Sequence, residues 1–235
     1  MPFLQLLFIR HAQSLGNQTQ QMEGQADSAL SPLGQTQAQQ LGAYLLAHTE
    51  PATHIYTSPL QRAHQTATIL RSHLVQPAVT GNGAVLPISA SALQEGHQGI
   101  LQGLTWAEAT SRYPELAQGL LNSLDWLPIP GAESPAQVRR RAQDFLDYLL
   151  EHHQNGDRLW IVSHSWLLQH LVACVLGCDR SWQINIPNTS LFEFWIDCDR
   201  WDRTDQTRYN TELWQIHRFN DCLHLNQSWS SSQTD

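Results

Sequence analysis

The chain of 235 residues contains no lysine. Any cationic site must therefore be built from guanidinium and imidazole groups. Positive charge is scarce as well: 13 arginines face 21 aspartates and glutamates, giving −8 with histidine neutral. So acidic a balance argues against a nucleic-acid partner and against anionic membrane surfaces. Long hydrophobic runs are missing too, and no basic segment precedes the short apolar stretch near the start. No membrane span or secretory signal is expected, which makes the cytoplasm the expected location. Cysteine is limited to Cys174, Cys178, Cys198 and Cys222 in no tight pairing, so core packing is expected rather than a disulfide or metal. The 12 histidines include no His-Glu-x-x-His run. Asn17-Gln18-Thr19 matches a glycosylation sequon, read here as a chance match, and internal repeats are absent.

What is present is an alternation of strands and helices. Phe3–Ile9, Thr53–Thr57 and Leu159–Ser163 read as buried strands, and Ser190–Ile196 and Leu213–Phe219 as two more. Helical spacing of apolar residues follows Ser31-Pro32, Ser134-Pro135 and His164, the last helix stopping at Gly177. Ser58-Pro59 with Gln61 reads as a capping box opening another. The pattern predicts an α/β fold: a three-layer α/β/α sandwich, its mostly parallel central sheet covered by helices on both faces. Residues 77–133 hold Pro77, Pro87, Pro114, Pro128 and Pro130 and little long periodicity, and read as a lid-like insertion. One domain is expected over 1–227, with a polar, disordered tail at 228–235.

Chemistry gathers where these strands end. Arg10 and His11 follow the first strand, Arg62 falls in the first turn of the helix after the second, and His164 follows the third. The carboxyl ends of strands in an open α/β sheet face the ligand crevice, and helix N-termini there favour anions. Two arginines and two histidines thus converge on one sheet edge suited to an anion.

The motifs are specific enough to suggest a family. Phe8-Ile9-Arg10-His11-Ala12-Gln13-Ser14, Asn17, Glu23-Gly24, Asp27 and Leu30-Ser31-Pro32-Leu33-Gly34 resemble the opening of the histidine phosphatase superfamily, which includes cofactor-dependent phosphoglycerate mutases and many broad phosphatases. Ser58-Pro59-Leu60-Gln61-Arg62-Ala63 resembles its second motif, and Leu93-Gln94-Glu95 its acid-bearing loop. Gly131-Ala132-Glu133-Ser134, Val162-Ser163-His164-Ser165, Asn188-Thr189-Ser190 and Asn220–Leu225 follow in the expected order. The resemblance spans nearly the whole chain.

It implies a phosphohistidine on His11, phosphate held by Arg10, Asn17, Arg62 and His164, and Glu95 as general acid and then base. Apolar Leu93, Ile100 and Leu101 are expected around Glu95. Glu23, Asp27 and Glu133 read as structural. No metal and no cofactor are expected. Departures from the family pattern are Ala12 and Ser165 where glycine is usual, Gln13-Ser14 for Glu-Thr or Glu-Ser, and Gly96 where the mutases carry arginine. The expectation is a metal-independent phosphatase of small phosphorylated metabolites, with a homodimer left open. The alternatives are a cofactor-dependent phosphoglycerate mutase and a phosphate-binding protein whose site has drifted out of use.

Overall fold

Three mostly buried runs and one short edge strand line up in parallel, and two more strands close the sheet. The computed structural model describes residues 3–74, 85–201 and 212–225. Its strands are Leu4–Arg10 (β1), His54–Thr57 (β2), Pro87–Ser89 (β3), Arg158–Ser163 (β4), Leu191–Ile196 (β5) and Trp214–Asp221 (β6), in the order β3-β2-β4-β1-β5-β6. The first four in that order are parallel, while β5 pairs antiparallel with β1 and β6. The helices are Leu15–Gln18 (α1), Pro32–His48 (α2), Gln61–Leu74 (α3), Trp106–Arg112 (α4), Pro114–Asn122 (α5), Pro135–His152 (α6), Ser165–Val175 (α7) and Cys198–Trp201 (α8).

Side-chain alternation along β1 builds the three layers. Leu6 and Phe8 join Leu159 and Ile161 against Phe145 and Leu149 of α6 and Leu168 and Leu171 of α7. Leu7 and Ile9 face the other way, onto Leu41 and Leu45 of α2 and Ala67 and Leu70 of α3. A strand buried on both faces needs apolar residues on both, which β1 supplies from Leu6 to Ile9. Each such side chain contributes about 1.5–3 kcal/mol by leaving water. Among the described residues, no helix is long and apolar enough to cross a membrane.

Local signals set most helix ends. Ser31 caps α2, and Ser134 with Gln137 forms the expected capping box of α6. At the end of α7, Gly177 adopts φ 67°. Its N–H bonds Cys174 O at 3.0 Å and that of Cys178 bonds Ala173 O at 2.9 Å, a Schellman closure. Cys178 therefore lies past the helix rather than in it.

Two expectations need correction. Ser58 does not cap α3, which begins at Gln61; Asp27 does, accepting from Gln61 N–H at 2.7 Å and Gln61 Nε2 at 3.0 Å. The Ser58 hydroxyl is instead at His164. Second, the insertion carries β3, α4 and α5. Strand β3 is three residues on a sheet edge, with Ile88 exposed, and so has no alternation to read. Leu101, Leu104 and Ala109 of this segment form a separate apolar cluster with Met22, Tyr113 and Ile129. The start of the expected insertion at 77–84, residues 202–211 of the polar stretch before β6, and the tail at 228–235 lie outside the described residues.

Candidate active site

The carboxyl ends of β1, β2 and β4 come together as register requires: Arg10 pairs Ser163, and Thr57 pairs Val162. Residues just beyond those ends must then share one edge. A cavity of about 250 Å³ opens there, lined by Arg10, His11, Asn17, Glu23, Arg62 and Glu95 together with Gln21, Met22, Gly24, Gln98, Ser165 and Trp166. Five of the six predicted site residues line it. The sixth, His164, is fully buried beside it, its ring centroid 4.9 Å from that of His11.

His11 is 3 % exposed, and its Nδ1 lies 2.7 Å from Ala12 O. A carbonyl only accepts, so Nδ1 carries the proton and Nε2 keeps the lone pair. Burial, then Arg62 and Arg10, hold this imidazole well below its ordinary pKa. A neutral ring with an unprotonated Nε2 is the form that can attack an electrophile. Its main chain is fixed by His11 N–H to Ser163 O at 2.9 Å and by Asn188 Nδ2 to His11 O at 3.0 Å.

The two arginines are held from behind. Arg62 donates from Nη1 to Ala26 O and from Nη2 to Gly24 O, each at 2.7 Å. Arg10 donates through Nη1 to Ile186 O. Neither Nε has a hydrogen-bond partner, although both are buried. Burial lowers both guanidinium pKa values from the ordinary arginine value, while Glu95 and Glu23 pull the other way. Unpaired buried donors are costly unless something accepts from them. His164 adds a third such atom: Nε2 is 2.8 Å from Ser58 Oγ, and Nδ1 has no partner. Burial, then His11 and both arginines, also lower its pKa well below the ordinary imidazole value.

Asn17 lies on α1 and is already engaged. Its Oδ1 accepts from Ser14 N–H and Asn188 Nδ2, and its Nδ2 donates to Glu23 Oε2 at 2.8 Å. One amide hydrogen remains for a ligand. Glu23 is an anchor, as expected, accepting from Ser14 Oγ at 2.6 Å and from Ser28 Oγ, and standing 3.8 Å from Arg62 Nε.

Glu95 is 9 % exposed, but its surroundings are not the apolar ones expected. Leu93 and Leu101 turn into separate apolar clusters and Ile100 toward solvent. The carboxylate instead meets the start of α7. Oε2 accepts from Trp166 N–H at 3.1 Å and Ser165 Oγ at 3.5 Å; Oε1 accepts from Leu167 N–H at 3.1 Å and Gly96 N–H at 3.0 Å. Its loop is clamped by Arg141, a residue sequence reasoning missed. Arg141 donates to the carbonyls of Ala92, Gln94 and Glu95 and pairs with Glu133 at 2.9 Å. No local motif marks Arg141, which lies 46 positions from Glu95.

The small-residue departures fit their surroundings. Ala12 is buried against Leu30 and Ala38, and its N–H donates to Thr66 Oγ1 at 3.1 Å. At Gly96 a Cβ would stand 2.0 Å from the Trp166 ring, so the indole requires glycine there.

Comparison with known proteins gives a consistent picture. The family model for the histidine phosphatase superfamily (branch 1) matches residues 6–207. The chain is 31 % identical over 166 residues to the metal-independent phosphoserine phosphatase of Arabidopsis thaliana, covering 70 % of this chain and 66 % of that one, just short of two thirds. It is 27 % identical to phosphoglycerate mutase-like protein 4 of the same plant, over 85 % of this chain and 83 % of the relative. Among solved structures, Bacillus stearothermophilus YhfR superposes with a TM-score of 0.75 at 23 % identity, over 94 % of this chain and 99 % of that one, which shows the shared fold.

Proposed function

The chain belongs to the histidine phosphatase superfamily, and from that premise we propose that it is a metal-independent phosphatase of small phosphomonoesters working through a phosphohistidine on His11. One observation carries this reading. Around a neutral His11 whose Nε2 keeps its lone pair stand two buried guanidinium Nε–H donors with no acceptor. A phosphoryl group supplies both what the nucleophile attacks and what the donors lack.

In this reading Nε2 attacks phosphorus, the bond to the ester oxygen breaks, and Glu95 gives that oxygen its proton. Oε2 suits the proton, because its Ser165 contact is the longest of the four. Water then attacks the phosphohistidine, Glu95 takes back a proton, the P–N bond breaks and phosphate leaves. Arg10, Arg62, Asn17 and His164 hold the phosphoryl oxygens. Ser58 Oγ accepts from Leu60 N–H and, in this reading, gives its own proton to His164 Nε2, the tautomer in which Nδ1 is a donor. Arginine and imidazole thereby supply the charge stabilisation a divalent ion gives elsewhere. The relative named a metal-independent phosphoserine phosphatase supports this reading. The cysteines are all free thiols, in keeping with a reducing compartment, and we place the enzyme in the cytoplasm.

The mutase reading requires a hold on a second anionic group. Apart from Arg10, His11 and Arg62, the cavity-lining residues are neutral or acidic, and position 96 is closed by Trp166. The test is chemical. With a phosphomonoester substrate and rapid quench, the protein should carry a phosphoryl label that survives base and is lost in acid, and His11→Ala should abolish both label and turnover. Label retained by His11→Ala protein overturns the assignment.

A further inference from the structure

At the opposite edge of the sheet from His11, three side chains from two stretches of chain converge, the start of β2 and the short connection between α6 and β4. His54 opens β2, His153 follows α6, and Asp157 precedes β4. One donor atom from each lies within 4.8 Å of the other two. His153 Nδ1 and Asp157 Oδ2 are 3.2 Å apart, and the two imidazole rings meet edge to face at 4.5 Å.

The neighbours of this cluster orient it. Thr53 Oγ1 donates its one proton to Arg158 O, so it can only accept from His54 Nδ1, at 3.0 Å. That fixes the proton on Nδ1 and leaves the lone pair on His54 Nε2. His153 Nε2 is 3.0 Å from the Tyr56 hydroxyl, and Gln154 N–H donates to Asp157 Oδ2 at 3.2 Å. Each of the three side chains thus has a second partner of the kind that orients metal ligands.

We propose that His54, His153 and Asp157 form a divalent-cation site, suited to zinc, that braces the joins of β2, α6 and β4 and takes no part in phosphoryl transfer. Two imidazoles and a carboxylate are a zinc donor set, with water left for the fourth place. Ligands at about 2.0–2.1 Å in a tetrahedron stand about 3.4 Å apart. The His153–Asp157 pair is already at that spacing. The widest separation in the triad needs to close by at most about 1.4 Å. In the free protein His153 Nδ1–H donates to Asp157 and Tyr56 O–H donates to Nε2. On binding, the Nδ1 lone pair goes to the metal, the ring proton moves to Nε2, and the Tyr56 oxygen turns to accept it.

The experiment uses untagged full-length protein freed of metal with chelator. Titration with Co2+, read by its ligand-field absorption, and with Zn2+ against a chromophoric chelator should give one equivalent with tetrahedral band intensities. Zn2+ should raise the Tm. His54→Gln and Asp157→Asn should each weaken binding by at least about the tenfold that loss of an outer-sphere partner alone costs. Each should also abolish the Tm shift. His152→Gln, at a half-exposed neighbour, should bind as before. Phosphatase turnover should be the same in all four proteins with or without metal. No binding by the wild type, unchanged binding in either ligand variant, or activity that follows occupancy overturns the proposal. None of these results bears on the label at His11.

Discussion

The Glu95 carboxylate accepts the Leu167 N–H at 3.1 Å and so closes the N-terminus of α7 from across the site. Helix α7 starts one residue after His164, whose own side chain makes no cap. The candidate acid is therefore bonded to the helix that places the second imidazole, with the helix dipole favouring a negative group there. Substitutions at Glu95 touch chemistry and position together, and tests must separate the two.

Substrate choice separates them. An aryl phosphate leaves with little protonation, whereas an alkyl phosphate needs a full proton on the departing oxygen. Glu95→Gln should slow phosphoenzyme formation from an alkyl phosphate by about 10²–10³-fold, within the range of general acid catalysis, and from p-nitrophenyl phosphate by less than about tenfold. Single-turnover rates are the observable, because the second step also uses Glu95. Arg62→Ala should slow both substrates about equally. An equal slowing of the two by Glu95→Gln removes Glu95 as the leaving-group acid.

Arg141 is a positioning residue for that acid. Its guanidinium holds the carbonyls of Ala92, Gln94 and Glu95 and does not itself line the cavity. Arg141→Gln should reproduce the alkyl-over-aryl defect of Glu95→Gln in weaker form, with KM for the aryl substrate little changed. Arg141→Lys should rescue it only in part, since an ammonium cannot replace a planar fork. A variant that lowers both substrates alike, or only lowers the Tm, would show a purely structural role.

Metal removal should leave catalysis untouched. After exhaustive chelation, kcat and KM for a phosphomonoester should stay within experimental error of the untreated protein, since arginine and histidine supply the electrostatics. Activity lost with chelator and restored by a divalent ion would require a different site. A fall in Tm without a fall in activity is the outcome expected if the His54–His153–Asp157 site is real.

Much of this was legible in the sequence, for a local reason. Arg10 ends one largely apolar strand, and His11 and His164 each follow one, so strand register alone brings them to one edge. The cores on the two faces follow from alternation along β1. What could not be read depends on long-range approach. Asp27 caps α3 from 34 positions away, Arg141 clamps the Glu95 loop, and Trp166 dictates glycine at 96. His153 and Asp157 stand four apart in the connection between α6 and β4, but His54, which completes the triad, comes from β2 far away in sequence. The surroundings of Glu95 misled for the same reason: nearby leucines suggested an apolar pocket, and the start of α7 supplied N–H groups instead.

Buried histidines set the acid limit of stability. Burial pushes His170 and His224 down to about 4, and His11 and His164 also lie below the ordinary value. Near pH 6 the unfolded chain, with imidazoles near 6.5, binds protons that the folded protein refuses. Stability therefore rises with pH through this interval, and is lost as pH falls from about 6.5 toward 4. Each such histidine contributes a slope of up to about 1.4 kcal/mol per pH unit. His170 isolates the effect, because neither ring nitrogen has a hydrogen-bond partner and it lies outside the cavity wall. Urea midpoints of wild type and His170→Leu should be compared at pH 7.5, 6.5 and 5.5, above most carboxylate titration. The variant should lose stability less steeply between 6.5 and 5.5 and be at least as stable at 7.5, since leucine removes two unpaired polar atoms from the core. Parallel curves for the two proteins would mean that His170 is protonated in the folded state and that its burial carries no pH dependence.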